Sequence, residues 1–337
     1  MQSAAVDWLV PIRVFGAAGA PRDQWRRCLR TATSGGITVA VLGLIVFDTM
    51  HHAMVQSLHA VSVPLALLAL IPALLIPVLG GLRWWIVLRG MGRPIAPVAS
   101  LVELFSVANV VGQLLPSLAA DGLRGWLAIR RGYRSTDVAQ SIILERSGMT
   151  LALLGLLVAT EPLLLARIGR PATTWLCPSL LGIGVGAFVV MSLADKFGLG
   201  PWRVSPAIQD MAATARHLTS SGWGLAAFLL SLASQVNFVL LAALLGQTLG
   251  QPVSFLDCLA VIPLAIAATA LPISLGGWGV REGTLVVVFG TMGVPIGGAL
   301  ILSLSYGLYA ALSSLPGFVG WWVSVARHGL TPGEATR

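Results

Sequence analysis

LPISLGGWGVREGT, residues 271–284, sets Arg281 beside Glu282 just after a proline and a run of glycines. From Gly222 to Ala326 the only other charged residue is Asp257. A stretch that otherwise excludes charge places an ionised pair at a Pro/Gly elbow. The apolar flanks must therefore surround something that can hold charge, and that requirement decides how they are read.

Across the whole chain, the 337 residues are 56% hydrophobic and 10% charged, against about 25% charged in an ordinary soluble domain. That composition makes lipid the expected solvent. Several apolar runs reach or approach the ~20 residues needed to cross about 30 Å of hydrocarbon. Long runs rather than short alternating segments favour helices over a membrane barrel. The expected fold is all-α, a polytopic integral membrane helix bundle, with full spans at 34–50, 62–82, 138–165, 174–194, 222–246 and 296–325. Pro11, Pro21 and the basic cluster Arg22, Arg26, Arg27 and Arg30 do not make a signal peptide.

With the N-terminus inside, sixteen of the 21 basic residues, Arg83, Arg89 and Arg93 among them, fall on the cytoplasmic side. Only Arg167 and Arg170 fall outside, with Arg124, Arg146 and Arg281 at membrane depth. The positive-inside bias then predicts cytoplasmic N- and C-termini. A bacterial inner (cytoplasmic) membrane is the expected location.

Two regions are broken in their middle and do not read as simple spans. One is 98–130, interrupted by Pro116; the other is 257–294, interrupted by Pro272, Gly276, Gly277 and Gly279. Broken backbone at membrane depth survives only where protein or a water-filled cavity satisfies its polar groups, so both are expected to be re-entrant hairpins. LPSLAADGLRG (115–125) and LPISLGGWGVRE (271–282) both begin Leu-Pro and both carry Gly, an aliphatic residue and Arg. The matching position of the two elbows predicts an inverted repeat, 34–170 followed by 171–326, between an interfacial segment 1–33 and a tail 327–337.

A charge at the bilayer centre costs about 2.5–3.5 kcal/mol on insertion scales. Asp121 and Arg124, three residues apart, can share a helix face, whereas Arg281 and Glu282 are adjacent and would not face each other on a helix. Glu145 and Arg146 repeat the adjacent arrangement. Two readings stay open: a structural network locking hairpins to helices, or Arg124 and Arg281 presenting guanidinium forks to a phosphate in a central cavity. Polar stripes at Ser106, Asn109, Gln113 and at Ser231, Ser234, Gln235 bridge helices or line such a cavity.

His51, His52 and His59 have no metal-ligand spacing and read as solvated interfacial residues. Cys28, Cys177 and Cys258 form no disulfide framework. No nucleophile elbow, zinc-protease helix, P-loop or dinucleotide fingerprint is present. No metal or other cofactor is expected, and the net charge of +8 reads as loop charge rather than a nucleic-acid surface.

NVVGQLLPSLAADGLRGWLAIRRG, IILERSGMTLALLGLL and LPISLGGWGVREGTLVVVFG, in this order and with RWWIVLRGMG before them, resemble the lysylphosphatidylglycerol synthase transmembrane family. The resemblance implicates Asn109, Pro116, Asp121 and Arg124 in the first elbow and Glu145 and Arg146 in the following helix. In the second elbow it implicates Pro272, Gly276, Gly277, Gly279, Arg281 and Glu282. It departs at Pro116-Ser117 and at Ala119 and Ala120, where the family's first elbow carries glycines. With ten residues after Arg327, the resemblance implies the translocating part alone, without a soluble aminoacyl-transferase domain.

The resulting expectation is a flippase-like lipid translocase moving a phospholipid, aminoacyl-lipid, hopanoid or polyprenyl-linked lipid. The alternatives are a membrane-embedded transferase acting on a lipid-linked acceptor and a membrane partner of a lipid-modifying enzyme. The expected partners are membrane lipids and a separate lipid-synthesising enzyme, with a homo-oligomer compatible.

Overall fold

A computed structural model describes residues 61–93, 96–113, 115, 117–168, 206–269 and 277–328. The expected spans 34–50 and 174–194, the N-terminal segment, the three histidines near residue 51, Pro116, Pro272, Gly276 and the tail beyond 328 lie outside the described residues. Within them the regular structure is all helical. In chain order the helices are α1 (Val63–Gly90), α2 (Val98–Gly112), α3 (Ser117–Arg130), α4 (Ser135–Ile168) and α5 (Pro206–Ser220). They continue as α6 (Trp223–Thr248), α7 (Phe255–Thr269), α8 (Val280–Thr291), α9 (Ile296–Leu312) and α10 (Leu315–His328).

Four segments are long and apolar enough to cross a membrane: α1, α4, α6 and the stretch Ile296–Ala326 formed by α9 and α10. This is an integral membrane protein. Helix α1 shows why. It has no polar face, and Val63, Leu67, Ile71 and Leu74 stay exposed along it while Ala69, Ala73 and Ile76 are buried. A helix that is apolar all round has lipid on one side and protein on the other.

Helices α1 and α6 run antiparallel side by side. At one end the Ser62 amide donates to the Thr248 carbonyl at 3.1 Å. At the other, Gly90 is pressed against Trp223, whose Cβ would lie 2.6 Å from an added methyl group. Helix α4 starts at this second end, where Arg93 pairs with Asp137, and so runs parallel to α6. One apolar core joins α1, α6, α7, α8 and α9. A second joins α1 to α2, α3 and the start of α4.

The regions around the two sequence elbows are each a pair of short helices. Helices α2 and α3 have 15 and 14 residues, and α7 and α8 have 15 and 12. At 1.5 Å per residue each reaches roughly 18–23 Å, short of a full crossing.

One boundary differs from the sequence reading in a way that matters. That reading ends the second span at 82 and leaves Arg83 in a cytoplasmic segment; α1 instead continues to Gly90, and Arg83 is 3% exposed. The charge does not end the helix because a carboxylate from α4 meets it inside the bundle.

Candidate functional site

The charged centre lies where α1, α2, α3, α4 and α6 converge. Arg83 projects from α1, and its Nε and Nη2 donate to Glu145 Oε1 at 3.0 and 2.7 Å. Its Nη1 donates to Ser234 Oγ on α6 at 3.1 Å. Glu145, on α4, receives Arg124 through its other oxygen, with Nη2 to Oε2 at 2.5 Å. Arg124 Nη2 also lies 3.1 Å from Asp121 Oδ1, one helical turn back on α3. Arg146 closes the chain, its Nε donating to Asp121 Oδ2 at 2.6 Å. Five ionised groups from three helices thus form one alternating network, which is how a bilayer interior tolerates them.

Arg124 is fixed further by aromatic faces. Its Cζ lies 4.9 Å from the Trp84 ring centre and 5.4 Å from that of Phe105. Trp84 is held in turn by an indole hydrogen bond to Ser141 Oγ at 2.9 Å. The Phe105 ring fits only because residue 80 is glycine, since an added Cβ there would lie 2.3 Å from it. Such faces attract a guanidinium while leaving its edge N–H groups uncommitted. Arg124 is 2% exposed, and its Nε and Nη1 have no hydrogen-bond partner among the described residues.

The network borders a cavity of about 180 Å³. Arg83, Asp121, Arg124, Glu145 and Arg146 all line it, with Asn109, Ser234 and Asn237 as neutral polar neighbours. Three guanidiniums against two carboxylates leave the charged lining with one net positive charge. A buried arginine with two unpartnered nitrogens, in the lining of a cavity of that sign, is chemically a receptor for an anion with several oxygens.

Of the seven binding candidates read from the sequence, the structure brings five together around this cavity: Asn109, Asp121, Arg124, Glu145 and Arg146. Arg281 and Glu282 do not line it. Arg281 turns onto Glu282 instead, with Nη2 to Oε1 at 2.7 Å. Adjacent residues within a helix do not face each other, but at this loop-to-helix junction the two pair for a geometric reason. Glu282 sits in the first turn of α8 and reaches back to accept the Gly279 amide at 2.5 Å, which leaves its other oxygen open to the long Arg281 fork. Ser303 of α9 donates to that same oxygen at 3.2 Å. Trp278 and Tyr306 flank the guanidinium, with ring centres 4.8 and 5.6 Å from its Cζ. Gly277 and Gly279, at φ +79° and +86°, supply the left-handed backbone of the elbow.

The elbows nevertheless touch. Trp278 Nε1 donates to the backbone carbonyl of Gln113 at 3.1 Å. Asn109, besides facing the cavity, donates to Ser314 Oγ at 2.7 Å and so ties α2 to the start of α10.

Sequence reasoning misses Arg83, Trp84 and Phe105 as parts of the site. The signal for Arg83 is the continuation RWWIVL, which keeps the apolar run going past the charge. Nothing local marks Phe105. Among the described residues no cluster of three or more potential metal ligands exists.

The family described as lysylphosphatidylglycerol synthase TM region matches residues 32–317. No curated protein matches the chain.

Proposed function

We infer, because the chain belongs to the lysylphosphatidylglycerol synthase transmembrane family, that its membrane lipid-related function is translocation. An anionic or zwitterionic lipid headgroup enters the charged cavity while its tails remain in hydrocarbon. Arg124 receives the phosphate, and Glu145, itself braced by Arg83, holds Arg124 in place. The observation that carries this reading is the buried, donor-rich Arg124 at a cavity with one excess positive charge.

Arg281 and Glu282 then have a mechanical role: they brace the second elbow rather than bind substrate. The antiparallel course of α1 and α6, each leading into a pair of short helices and then a further span, supports the re-entrant hairpins and the inverted halves 34–170 and 171–326. Rocking one half against the other would expose the cavity alternately, the usual device of such repeats. The same reading keeps a bacterial inner membrane, cytoplasmic termini, and a separate lipid-synthesising enzyme as partner.

The test is reconstitution in liposomes carrying a fluorescent phosphatidylglycerol, with leaflet exchange followed by quencher access. Wild type accelerates exchange and leaves the lipid chemically unchanged. Arg124→Ala loses at least about tenfold in rate, some 1.4 kcal/mol of lost stabilisation, while still eluting as a folded protein. Equal rates in the two proteins would sink the phosphate role. A new lipid product by mass spectrometry would move the protein to the transferase alternative.

A further inference from the structure

A second cavity, of about 330 Å³, lies between α1, α4, α5 and α6. Val87, Leu144, Gly148, Leu151, Leu218 and Phe228 form most of its wall. Its lining carries no charged residue, and Thr219 is its one hydroxyl-bearing side chain. Helix α5 roofs it by turning Ala215 and Leu218 inward, both buried against Val87 and Leu144.

This pocket is interleaved with the charged one along three shared helices. On α4, Glu145 and Met149 face the charged cavity while the neighbouring Leu144 and Gly148 face the apolar one. On α1, Arg83 and Val87 divide in the same way one turn apart, and on α6 Ser234 and Ala227 do so two turns apart. Between the two, Gly148 contributes no side chain, and a Cβ there would meet only Ser231 Oγ, at 4.0 Å. A cation-rich chamber and an apolar chamber set side by side on the same helices fit the two ends of a single amphiphile.

We propose that the apolar cavity is the acyl-chain subsite for the lipid whose phosphate Arg124 receives, a step that rests on the headgroup reading above. On α4 the two linings interleave, whereas on α1 and α6 the apolar one lies one to two turns toward α5, so the chain runs from the headgroup toward the α5 end of the bundle. The site therefore selects for lipids with a long hydrocarbon chain.

The test uses the full-length protein in detergent with two probes: glycerol 1-phosphate, which carries the anion alone, and a long-chain phosphatidylglycerol. Gly148→Leu fills the apolar cavity without a clash at Cβ, and Ala227→Leu is the second variant. Both are expected to weaken the long-chain lipid at least about tenfold and to leave glycerol 1-phosphate binding unchanged, which also certifies the fold. Long-chain binding that depends on Arg124 but is unaffected by either filling variant would overturn the subsite and spare the headgroup reading. Binding of both probes that ignores Arg124→Ala would overturn the headgroup reading, and the subsite with it.

Discussion

Glu145 shows how much one carboxylate can be asked to do. It neutralises Arg83 with one oxygen and Arg124 with the other, and all three side chains are buried. Removing it leaves two guanidiniums in a low-dielectric interior, Arg83 without its only carboxylate among the described residues. Glu145→Ala should therefore cost about 3–5 kcal/mol, the usual result of breaking a buried pair. Arg146→Ala, at a side chain 43% exposed, should cost no more than about 1 kcal/mol. Thermal unfolding of the two variants in detergent checks the contrast, and equal midpoints would mean that Glu145 is not the hub. The importance of Glu145 is legible in the sequence, because an acid inside an apolar run demands a partner. Its partners are not. They come from 62 residues upstream, in the case of Arg83, and from the preceding short helix, in the case of Arg124, and no local spacing encodes either.

Between elements, legibility obeys the same rule. The four long spans can be read because hydrophobicity is a property of the segment alone. The breaks between α2 and α3 and between α7 and α8 can be read because proline and glycine act on their own backbone. The end of α1 is marked only by the apolar continuation RWWIVL, while the contact that makes Arg83 acceptable inside a helix comes from α4. The contact between elbows cannot be read, since in it an indole from one meets a main-chain carbonyl of the other. Trp278→Phe keeps an aromatic ring and loses the donor, at a cost of about 1 kcal/mol, whereas Gln113→Ala keeps the acceptor and should be close to neutral. Hydrogen–deuterium exchange across residues 108–113 is expected to rise in the first variant and stay unchanged in the second. A rise in both would mean that the Gln113 side chain, not its carbonyl, makes the joint.

Taken as a whole, the molecule buries the Arg83, Glu145 and Arg124 part of its charge network between two apolar cores, with Arg146 at the exposed edge. Salt screens exposed charges strongly and buried ones weakly. Raising ionic strength from about 0.1 to about 1 M, which shortens the screening length from ~10 to ~3 Å, should leave translocation within roughly twofold. A steep loss measured in the liposome assay would place the decisive anion contact at the membrane surface instead. The joint between Trp278 and Gln113 has one further consequence, for heredity. Every amino acid, proline included, brings a main-chain oxygen, so codon 113 is free to drift without dissolving the contact. Codon 278 has no such latitude, and lineages that vary the first while retaining the second would carry the same coupling under different sequences.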